Sequence, residues 1–151
     1  MFSAVTSTPA ELAGTYVHTE ADGTSISYPK GIACDDRGYL YVGLASRTNK
    51  SFASFAVVKY DEKGADGWLK EVSRKVFVET SDSVKTGING VAVREIAGKY
   101  YMYIVVNYDV DYLYRFDVTD PANPVADTSF GDNGRIDLQG APYNATEGNY
   151  L

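Results

Sequence analysis

Short apolar runs broken by polar, glycine-bearing turns set the rhythm of this chain. Gly31-Ile32-Ala33-Cys34-Asp35 leads into Asp36-Arg37-Gly38, and Tyr39-Leu40-Tyr41-Val42-Gly43-Leu44-Ala45 follows. Two β-rich runs around such a turn predict a hairpin. A polar loop, Ser46 to Ser54, precedes a third run, Phe55-Ala56-Val57-Val58-Lys59-Tyr60-Asp61, which the turn Glu62-Lys63-Gly64-Ala65-Asp66-Gly67 closes. A fourth run, Val72 to Thr80, centres on Val76-Phe77-Val78. The signals are short strands and turns, not helices.

The pattern then restarts. Gly90-Val91-Ala92-Val93-Arg94 matches Gly31 to Asp35, and Ala97-Gly98 takes the place of Arg37-Gly38. Tyr101-Met102-Tyr103-Ile104-Val105 matches Tyr39 to Gly43, and Leu113-Tyr114-Arg115-Phe116-Asp117 is matched to Val57 to Asp61. Arg135-Ile136-Asp137-Leu138 stands for the fourth strand. A self-similar unit of about 60 residues holding four short strands is the signature of a propeller blade. The predicted fold is therefore all-β: a β-propeller segment of about two four-stranded antiparallel blades. Residues 31–80 and 81–138 form the blades. Residues 1–30 supply a linker and, in Thr15-Tyr16-Val17-His18-Thr19, the outer strand of a preceding blade; 139–151 form a stub leading to a further one.

Several strands are apolar on both faces. Leu40, Val42 and Leu44 alternate with Tyr39 and Tyr41; Met102, Ile104 and Val106 alternate with Tyr101, Tyr103 and Val105. A plain sandwich would carry polar outer faces, whereas blades stacked on blades need both sides apolar. The expected buried set is Ile32, Cys34, Leu40, Val42, Val58, Tyr60, Val91, Val93, Met102, Ile104, Tyr114 and Phe116. A two-blade piece would leave one apolar face open at each side, which favours self-association or further blades.

Residues 28–42, Tyr28-Pro29-Lys30-Gly31-Ile32-Ala33-Cys34-Asp35-Asp36-Arg37-Gly38-Tyr39-Leu40-Tyr41-Val42, resemble the NHL-type and lactonase-like propeller repeat. Residues 113–124, with Asp117-Val118-Thr119-Asp120-Pro121-Ala122-Asn123-Pro124, resemble the LVIVD-type propeller repeat, and Ser129 to Arg135 a turn of bacterial β-repeat proteins. The resemblance implies an extracellular or cell-surface bacterial protein. It implies a non-catalytic scaffold for a ligand or another protein. Two other implications are part of a metal-dependent lactonase-like hydrolase, and a lectin-like chain that completes a propeller by self-association.

Composition narrows the partners. Tyrosine is prominent, 13 residues against 6 Phe and 1 Trp, and it suits half-buried pleated surfaces. The net charge is −6 and the 14 basic residues are scattered, which argues against nucleic acid. No run approaches the roughly 20 apolar residues of a membrane-spanning helix. Cys34 is the only cysteine and is expected as a small buried hydrophobe.

Catalytic signatures are sparse. His18 is the only histidine and there is no Gly-x-Ser-x-Gly elbow, so neither a hydrolase triad nor a multi-histidine zinc site is indicated. Asp35-Asp36 and Asp132-Asn133-Gly134 read as turn formers. Candidate ligand-binding residues lie on the loop face that carries the entries to the first strands: Tyr28 and Lys30 before the first blade, Asn89 before the second, and Arg47 and Asn49 in the first inter-strand loop. Asn107, Asp109 and Asp111 offer oxygens at alternate positions, a candidate set for Ca²⁺. The mix suits a polar small molecule, a glycan or a cation, and favours binding over catalysis.

Overall fold

The computed structural model describes residues 18–19, 26–46, 51–64, 69–80, 86–108 and 111–138. All of their regular structure is β, and no helix occurs among them. The first sheet is formed by β1 (His18–Thr19), β2 (Ile26–Cys34), β3 (Tyr39–Ser46), β4 (Ser51–Lys63) and β5 (Leu69–Thr80). It is an antiparallel meander in chain order. The second is formed by β6 (Thr86–Ile96), β7 (Lys99–Tyr108) and β8 (Tyr112–Asp117). Two short strands, β9 (Val125–Ala126) and β10 (Arg135–Asp137), share the outer edge of β8.

The hairpins form where the turn chemistry predicts. Asp35 Oδ1 accepts the backbone N–H groups of Arg37 and Tyr39, at 3.0 Å each, and so closes the β2–β3 turn. The first strands start earlier than the glycines suggested, at Ile26 and Thr86. Thr15-Tyr16-Val17 lies outside the described residues. His18 and Thr19 pair with Ser27 and Ile26, so this strand belongs to the first sheet itself and not to a preceding one.

Both sheets carry a bulge at the same point of their first hairpin. In β2 the pairing jumps from Pro29↔Leu44 to Gly31↔Gly43; in β6 it jumps from Ile88↔Val106 to Gly90↔Val105. Downstream the registers run in step: Cys34↔Leu40↔Val58 in the first sheet, Val93↔Met102↔Phe116 in the second. The bond from Tyr60 N–H to the Gly38 carbonyl has its counterpart from Val118 N–H to that of Tyr100. Hence Phe116 answers Val58, not Tyr60, and the sequence match of the third strands is displaced by two residues. A two-residue slip keeps every side chain on its face, so alternation alone does not expose it.

The sheets stack face to face, with β6 lying against β2 and β3. Tyr41, Phe55 and Val57 from the first sheet meet Met102, Ile104 and Phe116 from the second in one buried core. Phe55, Phe77, Phe116 and Tyr114 form its aromatic part, with ring centroids 5.1 to 5.9 Å apart along the chain of contacts. Two glycines permit the approach. A Cβ on Gly43 would stand 2.8 Å from methyl groups of Ile88 and Val91, and one on Gly31 would stand 3.1 Å from the Val91 nitrogen.

Burial departs from the expected set on one face only. Val58, Met102, Ile104 and Phe116 are buried, and Leu40, Val42, Val91, Val93 and Tyr114 are half-buried. Ile32 is 64% exposed and Tyr60 53%, and Cys34 is exposed rather than a core thiol. All three lie on the face of the first sheet turned away from the second. That face holds a smaller cluster around Leu44, Ala56 and Val58. Ser54 also sits there, fully buried, with its Oγ unpaired among the described residues.

Phe116→Ala is expected to cost about 3–5 kcal/mol, as for other buried aromatics, read from urea unfolding. Ser54→Ala is expected to leave the urea midpoint unchanged or raise it, because it removes a buried hydroxyl that makes no bond. A clear loss on Ser54→Ala would mean that the hydroxyl has a partner.

Candidate functional site

The bulges place two predicted binding residues together. Lys30 and Asn89 are the extra residues at the two register jumps, and both are exposed. A bulge re-aims the inserted side chain and strengthens the local twist. Gly31 faces the backbone of Gly90 and Val91, so Lys30 and Asn89 each sit one residue from the closest approach of the two sheets. Asn107 pairs with Gly87 near the same end of β6; it is half-buried, and its Oδ1 is unpaired among the described residues. Asp111 is half-buried beyond β7, and its backbone carbonyl accepts the Leu138 N–H at 2.8 Å. Tyr28 pairs through its backbone with Ala45. Arg47, Asn49 and Asp109 lie outside the described residues, as does the side chain of Tyr28. Among the described residues no three His, Cys, Asp or Glu side chains cluster as metal ligands would.

The densest polar geometry lies at the opposite end, on the β2–β3 turn. Arg37 Nε donates to Asp35 Oδ2 at 2.9 Å, and NH2 donates to the Tyr41 hydroxyl at 3.0 Å. NH2 also reaches the Val118 carbonyl at 3.0 Å, and NH1 the Thr119 carbonyl at 2.7 Å. The guanidinium lies 3.6 Å from the centre of the Tyr100 ring, whose hydroxyl donates to Asp36 Oδ1 at 2.6 Å. One side chain of the first sheet thus holds the chain as it leaves β8 in the second. Two more donors of the first sheet serve the same segment: Ser73 Oγ bonds the Pro121 carbonyl at 2.7 Å and Lys75 Nζ the Pro124 carbonyl at 3.1 Å.

The network fixes its own protonation. Burial of Asp35, whose side chain is 2% exposed, pushes its carboxyl up. The Tyr39 N–H, Arg37 and Tyr41 together outweigh that and hold it below its ordinary value. Tyr41 moves the other way: burial first, then the Asp35 carboxylate that its hydroxyl bonds at 2.9 Å, raise it well above the ordinary tyrosine range. Arg37, Asp35 and Tyr41 satisfy one another and the backbone, so the cluster is built to hold two sheets together. Sequence reading took Asp35-Asp36-Arg37-Gly38 for turn chemistry, which is correct locally. Nothing in the sequence signals that Arg37 reaches carbonyls some eighty residues on.

A third cluster covers the outer face of the second sheet. Arg115 pairs with Asp127 and lies between the rings of Tyr101 and Phe130, 4.9 and 4.4 Å from their centres. Hydrogen bonds from Ser129, ahead of those from Arg115, hold the Asp127 carboxyl low.

No protein-family model matches the chain, and no curated protein or solved structure matches it at a significant level.

Arg37→Ala is expected to destabilise the chain by about 3 kcal/mol, because Asp35 keeps its buried charge without the cation. Arg37→Lys should recover little of this, since an ammonium cannot serve carboxylate, hydroxyl and two carbonyls in one plane. The raised Tyr41 group contributes stability that is present below the ordinary tyrosine value of 10.0 and is lost as pH climbs past it. The depressed Asp35 group contributes stability present above its ordinary range and lost in acid. Urea midpoints across pH should fall at both ends, and Tyr41→Phe should flatten the alkaline fall. An unchanged alkaline limb in that variant would remove Tyr41 as its source.

Proposed function

We propose that the chain is a pair of β-propeller blades serving as a non-catalytic binding scaffold of a secreted or surface protein. The observation that carries this reading is the shared register of the two sheets, bulge included. β2, β3 and β4 match β6, β7 and β8 pair for pair, from Pro29↔Leu44 and Ile88↔Val106 down to Leu40↔Val58 and Met102↔Phe116. Such agreement is what one blade motif used twice would produce. The stacking of the sheets through apolar faces, with β2 next to β6, fits the same architecture. The resemblance of residues 28–42 and 113–124 to propeller repeats adds to it, and it is the source of the bacterial surface assignment.

The binding end is the one that carries the bulges. Lys30 and Asn89 sit at the bulges and Asn107 near the same end of β6, on a frame of stacked sheets, which is where loops and bulges gain function without disturbing the core. A cation, an amide donor and amide oxygens suit hydroxyl-rich or anionic ligands, so a glycan is the favoured class, with Ca²⁺ as a bridging ion held by Asn107, Asp109 and Asp111. The polar cluster at the other end has its donors committed to structure, which turns the reading from catalysis to binding.

The test is calorimetric titration of the chain with Ca²⁺ and with a panel of neutral and acidic oligosaccharides. Saturable binding is expected for at least one probe. Lys30→Ala/Asn89→Ala and Asn107→Ala/Asp109→Ala should each weaken it by about tenfold or more, the loss of one to two charged or bidentate contacts. Equal binding by both double variants, or heat from no probe, would overturn the assignment of this end as the site.

A further inference from the structure

The outer face of the second sheet is divided along its length. It carries the odd-numbered side chains of β7, since Met102, Ile104 and Val106 belong to the core. Over β8 it is closed: Phe130 lies across the Arg115 guanidinium, and Arg115 and Lys99 are committed to Asp127 and Asp117. Over β6 it is open. Ala92 and Arg94, the partners of Tyr103 and Tyr101, are both exposed, and the two tyrosines are half-buried. Arg94 makes no hydrogen bond, ion pair or ring contact among the described residues.

We infer that this open half is a binding site for an acidic oligosaccharide, a chain of uronate-type sugars laid along β7. Tyr101 and Tyr103 stand two residues apart on one face of the strand, about 7 Å, so two neighbouring sugar rings each find an aromatic one. The C–H groups on the face of a sugar carry partial positive charge and rest on the negative face of an aromatic ring. Both tyrosines are positioned by their neighbours: the Arg115 guanidinium lies 4.9 Å from the centre of the Tyr101 ring, and Phe130 meets Tyr103 edge to face at 5.9 Å. The small Ala92 leaves room beside Tyr103. Arg94, across from Tyr101, supplies a guanidinium that can donate two parallel hydrogen bonds to a sugar carboxylate. The site stands whether or not the bulge end binds, and it does not require the two sheets to be blades.

Another sheet suits this face poorly. The inner face of the first sheet, which does take a sheet, has Gly43 where this one has Val105, and Val57 where it has Arg115. A Cβ on Gly43 would stand 2.8 Å from methyl groups of the seated sheet, so a valine at that place holds a sheet off. Phe130, over Arg115, stands in the way as well. A sugar chain lying on the β6 side, over Ala92, meets neither obstacle.

The test is calorimetric titration of the chain with oligogalacturonate, with neutral oligogalactose of the same length as control. Saturable binding of the acidic chain alone is expected. Arg94→Ala should weaken it by about tenfold or more, the loss of one bidentate charged contact. Ala92→Glu should abolish binding and Ala92→Lys should strengthen it. Residues 92 and 94 are exposed on an edge strand, so all three variants should keep the parent's circular dichroism and urea midpoint. Tyr101→Phe should bind as the parent does and Tyr101→Leu several-fold more weakly, because the ring and not the hydroxyl carries the stacking. No heat with oligogalacturonate, equal binding of the neutral chain, or parent-like binding by Arg94→Ala and Ala92→Glu overturns the inference. A dimer that forms with rising concentration and is lost in Ala92→Glu also overturns it, by making a second copy the occupant. Lys30→Ala/Asn89→Ala should leave this titration unchanged. Loss of binding in that pair, with parent-like binding by Arg94→Ala, assigns the acidic chain to the bulge end instead, so failure of one site is read apart from failure of the other.

Discussion

Everything in this molecule depends on the approach of β6 to the first sheet at Gly31 and Gly43. Neither sheet is covered on its own, and a lone antiparallel sheet needs a packed face to be stable. Where two side chains are missing, the backbones come close enough for Ile88 and Val91 to reach β3. The aromatic cluster of Phe55, Phe77 and Phe116 then closes the wider part of the gap. Close-packed interiors tolerate little added volume, so these glycines set the distance and the aromatic rings set the angle.

The apolar contact does not by itself fix the sheets in register. That task falls to the segment leaving β8, whose carbonyls at Val118, Thr119, Pro121 and Pro124 are met by Arg37, Ser73 and Lys75. Two of the four belong to prolines, which accept hydrogen bonds but cannot donate them. A segment poor in donors is bound to donors across the gap. Asp35 holds the guanidinium in plane and Tyr100 covers it, so the clamp is positioned before it grips. Directional bonds of this kind decide which of several similar apolar stackings is populated, where hydrophobic area alone does not.

Much of the fold was legible in the sequence because alternation and turn residues are local signals. The β2–β3 and β6–β7 hairpins lie where Asp35 to Gly38 and Ala97-Gly98 indicate, and the long strands follow the apolar runs. The two-residue displacement of β8 was hidden, since Tyr60-Asp61 and Phe116-Asp117 look alike and a shift of two preserves the faces. The bulges had a visible cue in Gly31 and Gly90 inside strand patterns, which was read only as a strand start. Exposure of Ile32, Cys34 and Tyr60 was not legible, because an apolar face does not say whether a partner is present. Of the candidate site, Lys30 and Asn89 fall at the two bulges and Asn107 near the same end of β6, while the clamp around Arg37 was missed because its partners are remote in sequence.

The edges of the sheets are treated differently from their faces. Strand β5, at the outer edge of the first sheet, is studded with Lys70, Glu71, Arg74 and Lys75, and charged edges resist pairing with a foreign strand. The outer edge of β8 is occupied by two short strands instead of one long one, with left-handed residues Asn133 and Gly134 turning the chain between them. The outer face of the second sheet carries Arg115 sealed between Tyr101 and Phe130. The other face of the first sheet is closed along β4, where Ser54, Ala56 and Val58 are buried and Arg74 and Glu71 of β5 pair with Ala56 and Val58. Its exposed residues include Ile32 and Cys34 on β2. Charge on the edge strand therefore serves two ends: it resists pairing at the edge, and through Arg74 and Glu71 it borders the apolar cluster of this face.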